Sequence, residues 1–190
     1  MMKKVTHRKS DDEKLRELIL YISQRCEQDE RLGVTKLNKL LFYIEFSAYL
    51  TYGKAITNQE YFRLPQGPAP QRFMIVKKAM ERQKELAIST RLWHGHEQKR
   101  PIALRIANLD LFTAEEISLV DEIIARYWGM TASDISESSH NFLGWICANE
   151  QERIPYQIAL VGTRDLKERE IEYGQSLELR AAECLSGATS

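Results

Sequence analysis

The sequence predicts an α+β domain, mainly helical, with a central buried helix and a small antiparallel β-sheet or hairpin. Three observations carry this. Thr35–Gly53, read TKLNKLLFYIEFSAYLTYG, is apolar nearly all round and has helical start and stop signals. Leu86–His94 and Lys99–Ala107 alternate apolar and polar residues around a glycine. Threonines followed three positions later by an acid, at Thr113 and Thr131, announce two further helices.

In Thr35–Gly53, the residues Leu37, Leu40, Leu41, Ile44 and Ala48 make one stripe at i, i+3, i+4 spacing. Phe42, Tyr43, Phe46, Tyr49 and Tyr52 cover much of the rest. A helix of this kind is buried centrally. Lys36, Lys39 and Glu45 interrupt it, so it does not read as a membrane span, which needs about 20 mostly apolar residues. Thr35 is the expected cap and Gly53 the expected left-handed stop. Lys36 and Lys39 fall in the first turn, where the helix dipole disfavours cations by roughly 0.3–1 kcal/mol each. One reading has both solvated or paired with surface acids. The sharper one makes the helix start and both ammonium groups a site for an anion or an acidic partner.

The other elements follow in order. Residues 1–10 read as a loose tail, residues 11–184 as a single domain, and residues 185–190 as a second tail. Asp11 or Asp12 caps a first helix running to about Cys26, with Leu15, Leu18, Ile19 and Ile22 inward. Ala55–Leu64 suits a short strand or extended arm. Pro65, Pro68 and Pro70 around Gly67 make a rigid turn, since proline lacks the N–H that a helix or central strand requires. Gln71–Leu86 returns to helical period, with Phe73, Val76 and Met80 inward. The two alternating stretches then pair across a tip at His94-Gly95-His96, with or without Ala55–Leu64 as a third strand. The Thr113 helix runs to Trp128 or Gly129, burying Ile117, Val120, Ile123, Ile124 and Tyr127. The Thr131 helix ends at His140. Arg153–Val161 suits a short extended piece, and a charged last helix spans Leu166 to about Cys184.

The totals narrow the function. Lys plus Arg is 27 and Asp plus Glu is 27, which argues against binding nucleic acid by bulk charge. The charges are segregated, however. Arg72–Arg105 holds nine basic residues against three acids, and Asp110–Glu152 nine acids against one base. Cys26, Cys147 and Cys184 lie far apart without metal-type spacing, which suits reduced thiols and a cytoplasmic location. MMKKVTHRKS has no apolar run after it, so no secretory signal is expected.

Candidate chemistry is sparse. His94 and His96 form an HxH pair, but no cysteine and only Glu97 lies near, so no metal site is expected. His140 with Asp134 and Cys147 lacks any sign of base–nucleophile geometry. GxGxxG, P-loop, HExxH and GxSxG motifs are absent, so no cofactor and no enzymatic activity are expected. Phe73 and Trp93 within the basic stretch are the features that favour contact with a nucleic acid.

Lys36-Leu37-Asn38-Lys39-Leu40-Leu41-Phe42-Tyr43, followed by Tyr52-Gly53-Lys54, resembles the opening signature of the Panacea domain, the SocA-like antitoxin family of bacterial and phage proteins. Tyr61-Phe62, Gly67-Pro68, Val120–Tyr127, Ser139-His140 and Trp145 extend the likeness in order, over roughly Val34–Val161. Ala69-Pro70 and Ser139 depart from the family pattern, and Ile88–Ala107 has no counterpart in it. The resemblance implies an antitoxin that neutralises a toxin protein by direct binding in a toxin–antitoxin system. It also implies, as an alternative, an adaptor that delivers the toxin to a protease; the basic stretch Arg72–Arg105 carries a separate alternative, a phage-associated regulatory protein that contacts nucleic acid. Lys36, Lys39, Tyr43, Gly67 and Pro68 are the expected partner-binding surface, and His140 and Trp145 the expected structural pins.

Overall fold

A computed structural model describes the backbone of residues 2–161 except 94, 141 and 142, and the side chains of residues 10–161 except 93, 94, 96, 137–143 and 145. The last helix expected from Leu166 and the tail after it lie outside the described residues. The domain is α+β, as expected. Helix α1 spans Met2–Arg25 and α2 spans Val34–Tyr52. Strands β1 (Tyr61–Phe62) and β2 (Ala69–Pro70) precede α3 (Phe73–Arg82). The hairpin strands β3 (Leu86–Trp93) and β4 (His96–Ala103) lead through a 3-10 turn at Leu109–Leu111 to α4 (Ala114–Arg126). Then come α5 (Ala132–His140), α6 (Leu143–Cys147), β5 (Arg153–Ile154) and a 3-10 helix at Tyr156–Leu160.

Helix α2 is the hub. It packs against α1, α4, α5, β2, β4 and the final 3-10 helix. Leu37, Leu40, Leu41, Ile44 and Ala48 join Leu15, Leu18, Ile19 and Ile22 of α1 and Val120, Ile123 and Ile124 of α4 in the main core. The aromatic side of α2 builds a second core. Phe42 and Phe46 gather Tyr61 and Ile154, and Tyr156 stacks on Tyr49 with ring centroids 5.6 Å apart. Gly53 stops the helix at φ +70°, a left-handed geometry that favours glycine.

Several boundaries differ from expectation. The helix start is not capped by Thr35: Gly33 is the cap, and its carbonyl takes the first helical bond from Leu37 N–H at 2.9 Å. Helix α1 continues through the stretch expected to be a tail, because nothing before Asp11 breaks it and a nucleated helix propagates cheaply. Asp12 therefore sits inside α1 and pairs with Arg72. Ala55–Leu64 contributes only Tyr61 and Phe62 to a strand. They pair antiparallel with β2 and β5 in a sheet ordered β2-β1-β5, separate from the hairpin. Pro70 is tolerated there because β2 is an edge. Arg153–Val161 is extended only over β5 before it turns into the 3-10 helix.

The capping boxes are as expected. Thr113 and Glu116 cap each other at α4, and Thr131 and Asp134 do so at α5. The hairpin also forms, in register from Leu86↔Ala103 to Trp93↔His96. Its alternation continues past the strand, but with the charged residue inward. Arg105 reaches Glu17 on α1 at 2.5 Å and Glu85 at 3.0 Å. Ile102, Leu104 and Ile106 face solvent in consequence, Leu104 at 53% and Ile106 at 83% exposure. Backbone bonds hold this register: Leu104 N–H donates to Glu85, and the Gln24 side chain bridges Arg105 C=O and Ala107 N–H.

Arg105→Ala leaves Glu17 without its cation, although Asn108 N–H still donates to it. The expected loss is about 1–3 kcal/mol, reduced from a fully buried pair because Arg105 is part-exposed. Urea denaturation at pH 7 measures it. Unchanged stability removes Arg105 as the residue that sets this register.

Candidate functional site

Every residue expected to bind a partner lies at or near the N-terminal half of α2, and the structure turns each of them inward. Lys36 and Lys39 are both 1% exposed. The expectation of an exposed, cationic partner surface is therefore corrected. An unbranched four-carbon stem lets each ammonium leave the unfavourable helix start and travel to acceptors elsewhere.

Lys36 crosses to the C-terminal end of α4. Its Nζ donates to Tyr127 C=O and Met130 C=O, both at 2.8 Å, and pairs with Asp29 Oδ2 at 2.6 Å. The other oxygen, Asp29 Oδ1, accepts Arg31 N–H at 3.0 Å. A cation unfavourable at one helix start thus becomes favourable at another helix's end, where carbonyls are left over. Tyr43, half-buried one turn further along α2, stacks on Tyr127 with centroids 4.6 Å apart. Lys36 and Tyr43 together dock α4 on α2.

Lys39 goes the other way. Its Nζ donates to Gln66 C=O, the residue before Gly67. Gly67 and Pro68 are buried, and Gly67 adopts φ +100°, which favours glycine. Thr35, Asn38, Lys39, Gly67 and Pro68 line one small cavity of about 80 Å3. Burial lowers the Lys39 pKa to about 8. The structure therefore joins Lys39 to Gly67 and Pro68, and Lys36 to Tyr43 through Tyr127. Each group pins an irregular segment to α2.

Sequence reading missed a third pin, Glu45. It is fully buried, and its carboxylate accepts Ile56 N–H and Thr57 N–H, both at 2.9 Å, and the Thr57 hydroxyl at 2.5 Å. Burial raises its pKa to about 7 against those donors. A charge inside an otherwise apolar stripe was the available signal.

The remaining candidates fall away from this region. His140 ends α5 and Trp145 lies in α6, but their side chains, like those of His94 and His96, lie outside the described residues. Asp134 caps α5 and Cys147 is exposed. Among the described residues no three or more His, Cys, Asp or Glu are placed to hold a metal ion. Nor is any helix among them long and apolar enough to cross a membrane. Much of the basic stretch is spent internally. Arg72 pairs with Asp12, Lys77 with Glu81 and Arg105 with Glu17. Arg100 donates to Asp29 C=O at 2.8 Å and to Glu27 C=O at 2.5 Å.

The elements that carry these pins, from α2 through α6, coincide with one family. Residues 37–146 match the family described as antitoxin SocA-like, Panacea domain. The chain belongs to that family. No curated protein and no solved structure matches it. The Panacea match begins just after Lys36 and closes in α6, so it takes in Lys39, Glu45, Gly67 and Tyr127.

Two predictions follow from these buried charges. Lys36→Ala strands Asp29 in the interior, and about 3–5 kcal/mol of stability should be lost. Lys36→Met combined with Asp29→Leu should lose distinctly less, by urea denaturation. Equal losses would show that the pair is not the cause.

The second concerns pH. Glu45 is raised from 4.5 to about 7 on folding, so its contribution is present below pH 4.5 and lost as pH rises through about 7. Lys39 is lowered from 10.5 to about 8, so its contribution is present above pH 10.5 and lost as pH falls through about 8. Between about pH 7 and 8 both groups carry charge inside the protein. Relative to the Glu45→Gln variant, the wild type should lose stability from pH 5 to pH 8. Relative to Lys39→Met, it should gain stability from pH 7 to pH 10. Denaturant titrations across these ranges check both signs.

Proposed function

We propose that this Panacea-domain chain is an antitoxin that neutralises a toxin protein by direct binding, and that it acts as a binding module rather than as an enzyme. Membership of the antitoxin SocA-like family is the observation that carries this reading. The surface supports it. Ile102, Leu104 and Ile106 form an outward apolar ridge along β4 and beyond, with Leu109 and Leu111 exposed just after it. Large apolar side chains grouped on the surface favour contact with another protein. Among the described residues the hairpin pairs with no third strand, which leaves strand edges for a partner segment. The internal pairing of Arg72, Arg100 and Arg105 weighs against the nucleic-acid reading.

The test is retention of a partner. Tagged protein expressed together with its neighbouring gene should hold one stoichiometric protein that is toxic when expressed alone. Leu104→Asp with Ile106→Asp changes two solvent-facing side chains, so the melting temperature should stay within about 2 °C while affinity for that protein falls at least about tenfold. Retention of nucleic acid alone, or of nothing, defeats the antitoxin reading. An unchanged affinity in the double variant moves the binding surface away from the ridge.

A further inference from the structure

The loop before α2, the first half of β4 and the start of α5 enclose a cleft of about 610 Å3. That volume suits a small ligand or the side chains of a short peptide. Two of its walls carry exposed cations, Arg31 from the loop and Lys99 from β4, and Lys36 lies behind them. Among the described residues the Arg31 guanidinium makes no ion pair. Glu97 is the one carboxylate in the lining. It sits 3.4 Å from Lys99 in a pair exposed on both sides, which holds it weakly. Hydroxyls of Thr35 and Ser133 add neutral donors.

Close approach of the hairpin shapes the cleft. A Cβ on Gly33 would come 3.3 Å from Gln98 Cγ and 3.6 Å from Lys99 C=O. Glycine there lets β4 close over the start of α2. The cap it forms has no side chain to occupy the space in front of the helix.

The geometry points to a carboxylate-binding cleft that takes an acidic side chain or terminal carboxylate from an extended segment of a partner protein. Identifying that partner as the toxin rests on the antitoxin reading; the carboxylate chemistry does not. Charge complementarity sets the ligand class, because Arg31 and Lys99 both line the cleft, Glu97 is held only by Lys99, and Asp134, the other acid close enough to act on Arg31, is engaged by the Thr131 N–H in the cap of α5. An extended phosphate backbone fits less well, since Glu97 stands at the cleft and the neighbouring Arg100 is turned to backbone carbonyls.

The experiment is an NMR titration of the full chain with an acetylated tetra-aspartate peptide, and with tetra-asparagine, inorganic phosphate and a single-stranded oligonucleotide as comparators. Saturable shifts at the Gly33, Thr35 and Thr131 amides are expected with tetra-aspartate and not with tetra-asparagine. Arg31→Glu with Lys99→Glu should weaken that binding at least about tenfold without changing the circular dichroism spectrum. Arg31→Gln is the milder variant, with a smaller loss in the same direction. Absence of saturable shifts, shifts confined to other amides, equal affinity in the charge-reversed protein, or saturation by phosphate or the oligonucleotide alone each overturn the inference. If the chain retains its toxin while the peptide gives no shift, this cleft inference falls and the antitoxin reading stands. If the peptide binds as expected and no toxin is retained, the reverse holds.

Discussion

A charge cannot be left unpartnered in a protein interior, and α2 carries three of them: Lys36, Lys39 and Glu45. Each is tied to the backbone of a different irregular segment. Lys36 holds the α4–α5 junction through Tyr127 C=O and Met130 C=O, and draws in the Asp29 loop. Lys39 holds the turn at Gln66-Gly67. Glu45 holds Ile56 and Thr57 where the chain doubles back after Gly53. Apolar packing alone favours many arrangements of these segments about as well, since it is non-directional. The polar pins select one, because any other leaves an ammonium or carboxylate in the core.

The same rule operates at the hairpin. Arg105 is drawn inward by Glu17 and Glu85, and the strand's period of two then forces Ile102, Leu104 and Ile106 outward. Ion pairing inside and an apolar ridge outside are one decision about register. That ridge is costly for an isolated chain and suits a chain that works in a complex. The family match runs through it, including Ile88–Ala107, where no counterpart was expected.

These two regions divide the labour expected of the domain. The signature residues Lys36, Lys39, Gly67 and Pro68 are interior and hold the architecture. The ridge on β4 and the cations Arg31 and Lys99 lie outside that signature, and Lys36 alone of it reaches the cleft. A scaffold built this way can keep its interior while its outer surface varies with the partner.

Much of the fold was legible in the sequence because it rests on local rules. The apolar stripe of Thr35–Gly53, the left-handed stop at Gly53, the boxes at Thr113 and Thr131 and the hairpin around Gly95 each depend on residues within a few positions of one another. The likeness to the Panacea family was legible for the same reason, as short motifs in order. The destinations of the charges were not. Lys36 meets carbonyls about ninety positions away, Arg105 meets Glu17 across a similar span, and no local pattern encodes such a partner. Nor did alternation in Ile102–Ile106 say which face is buried, because a period of two is identical for either register. Sequence by itself determined the main helices, the hairpin, their order and the family. Only tertiary structure decided which charges enter the core and which apolar side chains stay outside, because the free energy of a charge depends on what surrounds it in space.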